Sequence, residues 1–199
     1  MSTTLNPLSP SSEAAAPRGR GRLQLILLLS LVIGPMILAT AMYKMKFWVP
    51  ESRSYHGVLI GNGQTLGDLG VLDAAQARWQ LLVTAPQGCD EACRQLVYTA
   101  RQIHIGLNRD ASRASHGLAI AAPLAADLEA QLEREYPQLG RYRLDLTTYT
   151  NAAVAKDAGG AQLWIVDPHG NLVLRYDATV KGKAILNDLR LLLKLSQIG

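Results

Sequence analysis

The longest apolar run of the chain lies close to its N-terminus. Residues 23–43 include no charged side chain and only Gln24, Ser30 and Thr40 as clear polar interruptions. At about 1.5 Å of rise per residue, a helix of this length crosses the hydrocarbon core of a bilayer. The pattern therefore predicts a single transmembrane helix over residues 23–43.

Strand and helix patterns alternate in the first half of the remaining chain. The apolar spacing predicts a strand around residues 79–84, a helix at about 90–107, a second strand around 118–122 and a helix at about 124–136. A strand–helix–strand unit implies two parallel strands joined by a right-handed crossover.

The second half predicts a short strand, a helical turn, a hairpin and a closing helix. Residues 142–146 suit the strand and 152–156 the helical turn. The run 163–166 is apolar on both faces, as in a central covered strand, and turn residues at 167–170 lead into a strand at 172–174. Apolar residues from Ile185 to Leu193 form one stripe, which predicts a helix that covers the sheet.

These patterns divide the chain into four parts. Residues 1–22 are rich in Ser, Pro, Ala and Gly and are expected to be a disordered tail, while 44–77 contain glycines throughout and are expected to be a connector. Residues 78–199 are expected to form one folded domain. The composition, 48% hydrophobic and 18% charged with a net charge of +4, excludes wholesale disorder. Because the basic residues are scattered, no nucleic-acid partner is predicted.

The charges that flank the apolar run predict its orientation. Three arginines precede the run and two lysines follow it, which favours a cytoplasmic N-terminus. The small residues Ala39, Thr40 and Ala41 also suit a signal peptidase, so cleavage after Ala41 is an alternative. Both interpretations place the domain outside the cytoplasm, where disulfides persist.

The candidate chemistry lies in Cys89 and Cys93, which are the two cysteines of the chain. Cys89 follows the first predicted strand of the domain, and Cys93 lies on the apolar stripe of the next helix. If both belong to the first helical turn, their Cα atoms lie ~6 Å apart, within reach of a disulfide. A disulfide, a dithiol and a bound soft metal ion all remain open. The acidic residues Asp90 and Glu91 stabilise a helix N-terminus but oppose a thiolate, so a strongly oxidising cysteine is not expected.

The order βαβα–ββα, with two cysteines where the first strand meets its helix, resembles a thioredoxin-like fold. Three residues separate the cysteines, a spacing similar to that of the Sco/SenC copper chaperones of cytochrome c oxidase assembly. The pattern Cys-Asp-x-Ala-Cys-Arg at 89–94 resembles more closely a set of small proteobacterial membrane proteins associated with oxidase biogenesis. This resemblance implies a bacterial inner-membrane protein with a periplasmic C-terminal domain, whose partner is an oxidase subunit or another assembly factor.

The resemblance is incomplete at the position of the copper-ligand histidine. Sco proteins carry that histidine shortly before the central antiparallel strand, where this chain has Ala158. His169 is predicted ~15–20 Å from the cysteines, and His104 ~16 Å along the helix. His104 is expected to flank the core and His116 to cap the second strand or lie on the surface. Only His56, in the predicted connector, is placed to approach the cysteines.

Three hypotheses follow for the cysteine pair. In the first, Cys89 and Cys93 handle Cu(I) or the thiols of the oxidase copper site, because two thiolates are soft ligands that suit Cu(I). In the second, they form the redox pair of a membrane-anchored thiol-disulfide oxidoreductase with other clients. In the third, they form a static disulfide in a non-catalytic scaffold.

Overall fold

Helix α1, Gly19–Met45, contains the predicted membrane span. The computed structural model describes residues 19–45, 55–74, 77–156 and 158–196, so the predicted tail up to residue 18 lies outside the described residues. Residues 19–22, which we assigned to the tail, belong to α1. The chain forms two units, Met1–Ser52 and Arg53–Gly199.

Between Leu23 and Ala41, helix α1 is predominantly apolar on all sides. Its stretch Gly21–Ala41 has a mean hydropathy of 2.3, and none of it is buried. The Ser30 hydroxyl donates to the Leu27 carbonyl at 2.9 Å, and the Thr40 hydroxyl donates to the Met36 carbonyl at 2.7 Å. Since hydrocarbon offers no hydrogen-bond partner, this internal pairing suits a membrane-spanning helix.

The second unit is built on a seven-stranded mixed sheet in the order β1-β7-β6-β3-β4-β5-β2. The strands are β1 (Val58–Leu59), β2 (Val71–Leu72), β3 (Trp79–Ala85), β4 (Ala114–Ile120), β5 (Gly140–Leu144), β6 (Gln162–Val166) and β7 (Leu172–Tyr176). β3, β4 and β5 are parallel, whereas β6 is antiparallel to both β3 and β7. The predicted parallel pair and the predicted hairpin are therefore confirmed.

Helices cover both faces of the sheet. They are α2 (Glu91–Gly106), α3 (Ala126–Glu135), α4 (Leu146–Asn151) and α5 (Gly182–Leu195), with a 3-10 turn at Asn108–Arg113. One core cluster joins alternate residues of β3, such as Leu81 and Val83, to α2, α3 and α5. The other joins Leu82 of β3 and Trp164 of β6 to Tyr149 of α4. All seven residues of β3 are buried, as expected for a central strand covered on both faces.

Two predicted elements lie at different positions in the structure. β4 begins at Ala114 rather than near residue 118, and the helix expected at 152–156 lies at Leu146–Asn151. Asp145 caps α4 by accepting a hydrogen bond from the Thr148 N–H at 2.6 Å, and this bond lowers the pKa of the Asp145 carboxyl. The side-chain cap, rather than apolar spacing, therefore determines where this short helix begins.

Part of the predicted connector, 44–77, belongs to the sheet domain. β1 and β2 are edge strands of the sheet, and Leu66, Leu69 and Val71 are buried against Leu82 and Trp164. Periodicity missed them because each strand has only two residues and the intervening segment is irregular. The structure thus extends the domain to the N-terminal side of residue 78.

Candidate functional site

Cys89 and Cys93 form a disulfide at the carboxyl end of β3. Their Cα atoms are 5.0 Å apart. Gly88, which precedes Cys89, has φ of +97°, a conformation that L-residues with a Cβ rarely adopt and that turns the chain between β3 and α2. Of the three states left open by the sequence, the structure contains the disulfide.

The two sulfurs differ in their surroundings. Cys93 lies in the first turn of α2 and is fully buried, with an exposed fraction of 0%. Cys89 precedes the helix and is only half-buried at the edge of the core. A reacting group can therefore approach the disulfide through Cys89.

Asp90 determines where α2 begins. It is the N-cap of α2, and its carboxylate accepts a hydrogen bond from the Cys93 N–H at 2.9 Å. This bond fixes the backbone at the buried cysteine. It also holds a negative group beside that cysteine, as the sequence predicted for Asp90 and Glu91.

A small groove lies beside Cys89, between α2 and α3. Its volume is about 60 Å³. Arg94 and Val97 line it from α2, Leu128 and Leu132 from α3, and Tyr136 closes it. Arg101 stacks over the Tyr136 ring, with the guanidinium carbon 5.1 Å from the ring centroid. This mixed apolar and basic groove is the part of the site that the Cys motif alone could not predict.

The segment before β6 lies at the cysteine end of the sheet. β6 begins with Gln162, which pairs with Thr84 near the end of β3. Ala158 precedes this strand, and its methyl side chain offers no metal-ligating atom. Among the described residues, no group of three His, Cys, Asp or Glu converges into a metal site. The donor set therefore does not fit a resident Cu(II) ion, which prefers nitrogen and oxygen ligands.

His56 does not approach the cysteines. Its backbone N–H donates to the Asp188 carboxylate at 2.7 Å, and its ring Nδ1 lies 2.8 Å from the same carboxylate. The adjoining strand β1 is three positions from β3 in the sheet, or roughly 14 Å at about 4.8 Å per strand. The suggestion that His56 reaches the sulfurs is therefore not supported.

Asp188 is the residue that sequence reasoning missed. Its exposed fraction is 2%, and it also accepts a hydrogen bond from the Tyr176 hydroxyl at 2.8 Å. Burial and this hydrogen bond raise the pKa of the Tyr176 hydroxyl. The sequence does contain a sign of this residue, because an acidic side chain lies between Ile185 and Leu189 on the apolar stripe of α5.

The other histidines lie away from the disulfide. His169 is exposed in the β6–β7 turn, at the opposite end of the sheet. His104 flanks the core as predicted, with its Nε2 3.1 Å from the carbonyls of Ala111 and Ala114. The prediction for His116 was wrong, because this residue lies inside β4 with an exposed fraction of 4% rather than on the surface.

Comparison with known proteins identifies the domain. Residues 79–196 match the family model described as "Transmembrane-like, thioredoxin-like, C-terminal domain", and residues 16–46 match "Transmembrane-like, N-terminal domain". No curated protein matches the sequence. Together with the apolar helix α1, these matches indicate a single-pass membrane protein.

Several solved structures are similar to the chain. Copper-bound ScoI of Arabidopsis thaliana is 8% identical, covers 61% of this chain and 88% of its own, and has a TM-score of 0.48. Yeast Sco1 is 12% identical, with coverages of 63% and 85% and a TM-score of 0.49. A thiol:disulfide interchange protein from Bacteroides sp. is 15% identical, with coverages of 71% and 86% and a TM-score of 0.44. By its family-model match over residues 79–196, the chain belongs to the transmembrane-like, thioredoxin-like family.

Proposed function

We propose that this protein is a membrane-anchored assembly factor for cytochrome c oxidase that handles copper-site thiols, or Cu(I) itself, through Cys89 and Cys93. In this proposal the N-terminus is cytoplasmic and the sheet domain lies in the periplasm of a bacterial inner membrane. The observation that carries it is the disulfide at the end of β3, with one accessible sulfur and one buried sulfur. The Cys-Asp-x-Ala-Cys-Arg pattern at 89–94 supports the assignment to oxidase assembly.

In this proposal the two sulfurs have different roles, and the difference in their burial supports that division. In the reduced form, the Cys89 thiolate attacks a disulfide of the client, one client thiolate leaves, and a mixed disulfide forms. Cys93 then attacks the Cys89 sulfur, which releases the second client thiolate and restores the Cys89–Cys93 disulfide. The two electrons of the dithiol reduce the client, and a separate dithiol reductant reduces the pair again.

The surroundings of Cys93 favour a disulfide that is only weakly oxidising. The N-terminus of α2 favours a negative sulfur, whereas the carboxylates of Asp90 and Glu91 oppose it. Because these effects have opposite signs, the Cys93 thiolate is not stabilised as strongly as in an oxidising catalyst. A poorly stabilised thiolate pair favours donation of electrons to the client, in agreement with a reducing role.

Cu(I) is the second cargo that the pair suits once it is reduced. Two thiolates can hold Cu(I), which accepts low coordination numbers and soft ligands. Since Ala158 supplies no third ligand, such an ion is held by the two sulfurs and a ligand from the client. This arrangement suits transfer rather than storage.

A trapping experiment tests the thiol chemistry. In the Cys93→Ser variant of the full chain, the Cys89 thiol forms a mixed disulfide that Cys93 can no longer resolve. We expect this variant to accumulate a disulfide-linked complex with an oxidase copper-site subunit, detected in membranes after acid quenching and alkylation. The matched Cys89→Ser variant leaves only the buried sulfur and is expected to trap at least tenfold less.

Two outcomes would contradict the proposal. If neither variant traps a client and the Cys89→Ser/Cys93→Ser double variant still supports oxidase assembly, the disulfide is static. If Cys93→Ser traps proteins other than oxidase subunits, the protein is a thiol-disulfide oxidoreductase with other clients.

An anaerobic Cu(I) titration separates copper transfer from thiol exchange. We expect the reduced full chain in detergent micelles to bind about one Cu(I) per chain through its two thiolates. Each single Cys→Ser variant should lose this binding. If both variants still bind Cu(I), or if the reduced wild type does not bind it, direct copper delivery by the two cysteines is excluded.

A further inference from the structure

A second cavity lies at the end of the sheet opposite the disulfide. It is open to solvent and has a volume of about 500 Å³. It is bounded by Arg78 just before β3, the first residues of β4, the helix α2, the 3-10 turn and Gln138 just before β5. Its polar lining comes from Arg78, His104, Ser112, Ser115, His116 and Gln138. None of its lining residues is Asp or Glu. The cavity therefore presents mainly hydrogen-bond donors and positive charge.

His116 is the buried polar side chain of this cavity. Only 4% of the residue is exposed, and it has no hydrogen-bond partner among the described residues. Its ring packs against that of His104 with centroids 5.0 Å apart. Burial, with the charges of His104 and Arg101 as further causes, lowers the pKa of His116 to about 4. Among the described residues, the ring nitrogens of His116 are not in the set of fully buried polar atoms that lack a partner. The imidazole N–H is therefore open to the cavity, where a ligand can accept it.

His104 is the other imidazole of the cavity, and two backbone carbonyls orient its ring. Its Nε2 lies 3.1 Å from both the Ala111 and the Ala114 carbonyl oxygens, so this nitrogen carries the proton and donates to them. The two carbonyls hold the ring beside His116. His104 thus adds a positive group near His116 whenever it is protonated.

Arg78 supplies a permanent positive charge at the rim. It is exposed, and within the described part of the chain it forms no ion pair. By contrast, Arg143 pairs with Asp73 at 2.9 Å on the surface. A guanidinium without an ion pair, in a cavity lined by two imidazoles and no carboxylate, favours an anion and disfavours a metal cation.

We propose that this cavity is a binding site for an oxyanion of the phosphate class, held by Arg78 and His116. The guanidinium and the imidazole N–H both donate to the anion, and the Ser112 hydroxyl and Gln138 amide at the rim add neutral donors. The bound anion offsets the positive charge of Arg101, and of His104 when it is protonated, near His116, and that of Arg78 in the cavity lining. The phosphate belongs either to a soluble compound or to an anionic lipid headgroup. This site is independent of the cysteine chemistry.

Histidine NMR of the full chain tests the site and its source of phosphate. In one arm, the chain in phosphatidylcholine nanodiscs is titrated with inorganic phosphate; in the other, nanodiscs contain phosphatidylglycerol and no phosphate is added. We expect the imidazole signals of His116 to shift, and its titration midpoint to rise by about one pH unit, in at least one arm. A response to inorganic phosphate identifies a soluble ligand, and a response only to phosphatidylglycerol identifies a lipid headgroup. The signals of His169, in the distant turn, should not respond.

Variants at the rim locate the binding site. Arg78→Gln is expected to weaken binding tenfold or more, because it removes a charge-assisted hydrogen bond. Arg143→Gln removes the same charge from a distant surface position and should change the affinity less than twofold. Since Arg78 is exposed, its variant is expected to fold even if His116→Gln does not. No response of His116 in either arm, or equal affinities in Arg78→Gln and wild type, would overturn the proposal.

Discussion

At the scale of single residues, burial decides which protonation state a side chain holds. His116 lies in β4 with an exposed fraction of 4%, near His104 and Arg101 and without a hydrogen-bond partner among the described residues. Its pKa is lowered to about 4, so the imidazole is neutral at pH 7. A histidine of ordinary pKa in the unfolded chain takes up a proton at a higher pH than this one does. His116 therefore makes the folded state sensitive to acid.

This difference predicts an acid-dependent loss of stability. Between pH 6.5 and about 4 the unfolded chain binds the proton more tightly at this residue, so stability falls as the pH falls. On lowering the pH from 7 to 4.5, we expect the unfolding free energy of wild type to fall by roughly 2 kcal/mol more than that of His116→Gln. Denaturant unfolding of the full chain in detergent micelles measures this difference. His169→Gln is the control, and equal losses in wild type and His116→Gln would contradict the assignment.

At the scale of elements, one buried carboxylate joins three parts of the sheet domain. Asp188 of α5 accepts hydrogen bonds from the Tyr176 hydroxyl of β7 and from the backbone N–H of His56, just before β1. Buried carboxylates are rare without such partners, because an unpaired charge in the interior is costly. Through these hydrogen bonds, Asp188 links the edge strand β1 to the helix α5, which covers the sheet.

Replacement of Asp188 should loosen that edge. Asp188→Leu leaves the Tyr176 hydroxyl and the His56 N–H without their acceptor, and we expect a loss of about 2–4 kcal/mol in unfolding free energy. Amide hydrogen exchange should increase across residues 56–60. His56→Ala removes only a largely exposed ring, which is 57% exposed, and should cost less than about 1 kcal/mol. A similar loss in both variants would show that Asp188 acts through the His56 ring alone.

The extent to which the sequence predicted these elements depends on the range of the contacts that form them. Strand β3, helix α2 and the β6–β7 hairpin were predicted within a few residues, because each shows a local apolar period or a local turn sequence. The edge strand β1 and the contact between His56 and Asp188 were not predicted, since these residues are 132 positions apart in the chain. Local patterns contain no information on such a pairing.

At the scale of the whole molecule, the chain joins one apolar helix to one thioredoxin-like domain. The family matches at 16–46 and 79–196 assign the two parts. In our proposal the domain lies on the periplasmic side, because more basic residues precede the helix than follow it. The cysteine chemistry depends on that side, because disulfides persist in oxidising compartments.

Reporter fusions test the proposed orientation. Alkaline phosphatase fused after Gly199 should be active, because the enzyme requires periplasmic disulfides, and a cytoplasmic fluorescent reporter at the same position should be dark. An N-terminal epitope tag should remain on the full-length chain, since the proposal retains the anchor. The reverse reporter pattern would contradict the orientation, and loss of the tag by cleavage after Ala41 would show that the run is a signal peptide.

The sequence by itself determined the apolar helix, the order of the main strands and helices, and the position of the two cysteines at a strand–helix junction. These features are local, because hydrophobic period, turn residues and cysteine spacing act over a few neighbouring positions. The apolar stripe of α2 also predicted the burial of Cys93, which the structure confirms. Only the tertiary structure decided that Cys89 stays half-exposed, that Asp188 binds His56 and Tyr176, and that His116 faces a cavity. Burial and hydrogen-bond partners depend on segments distant in the chain, so they are determined only when the sheet and its helices pack together.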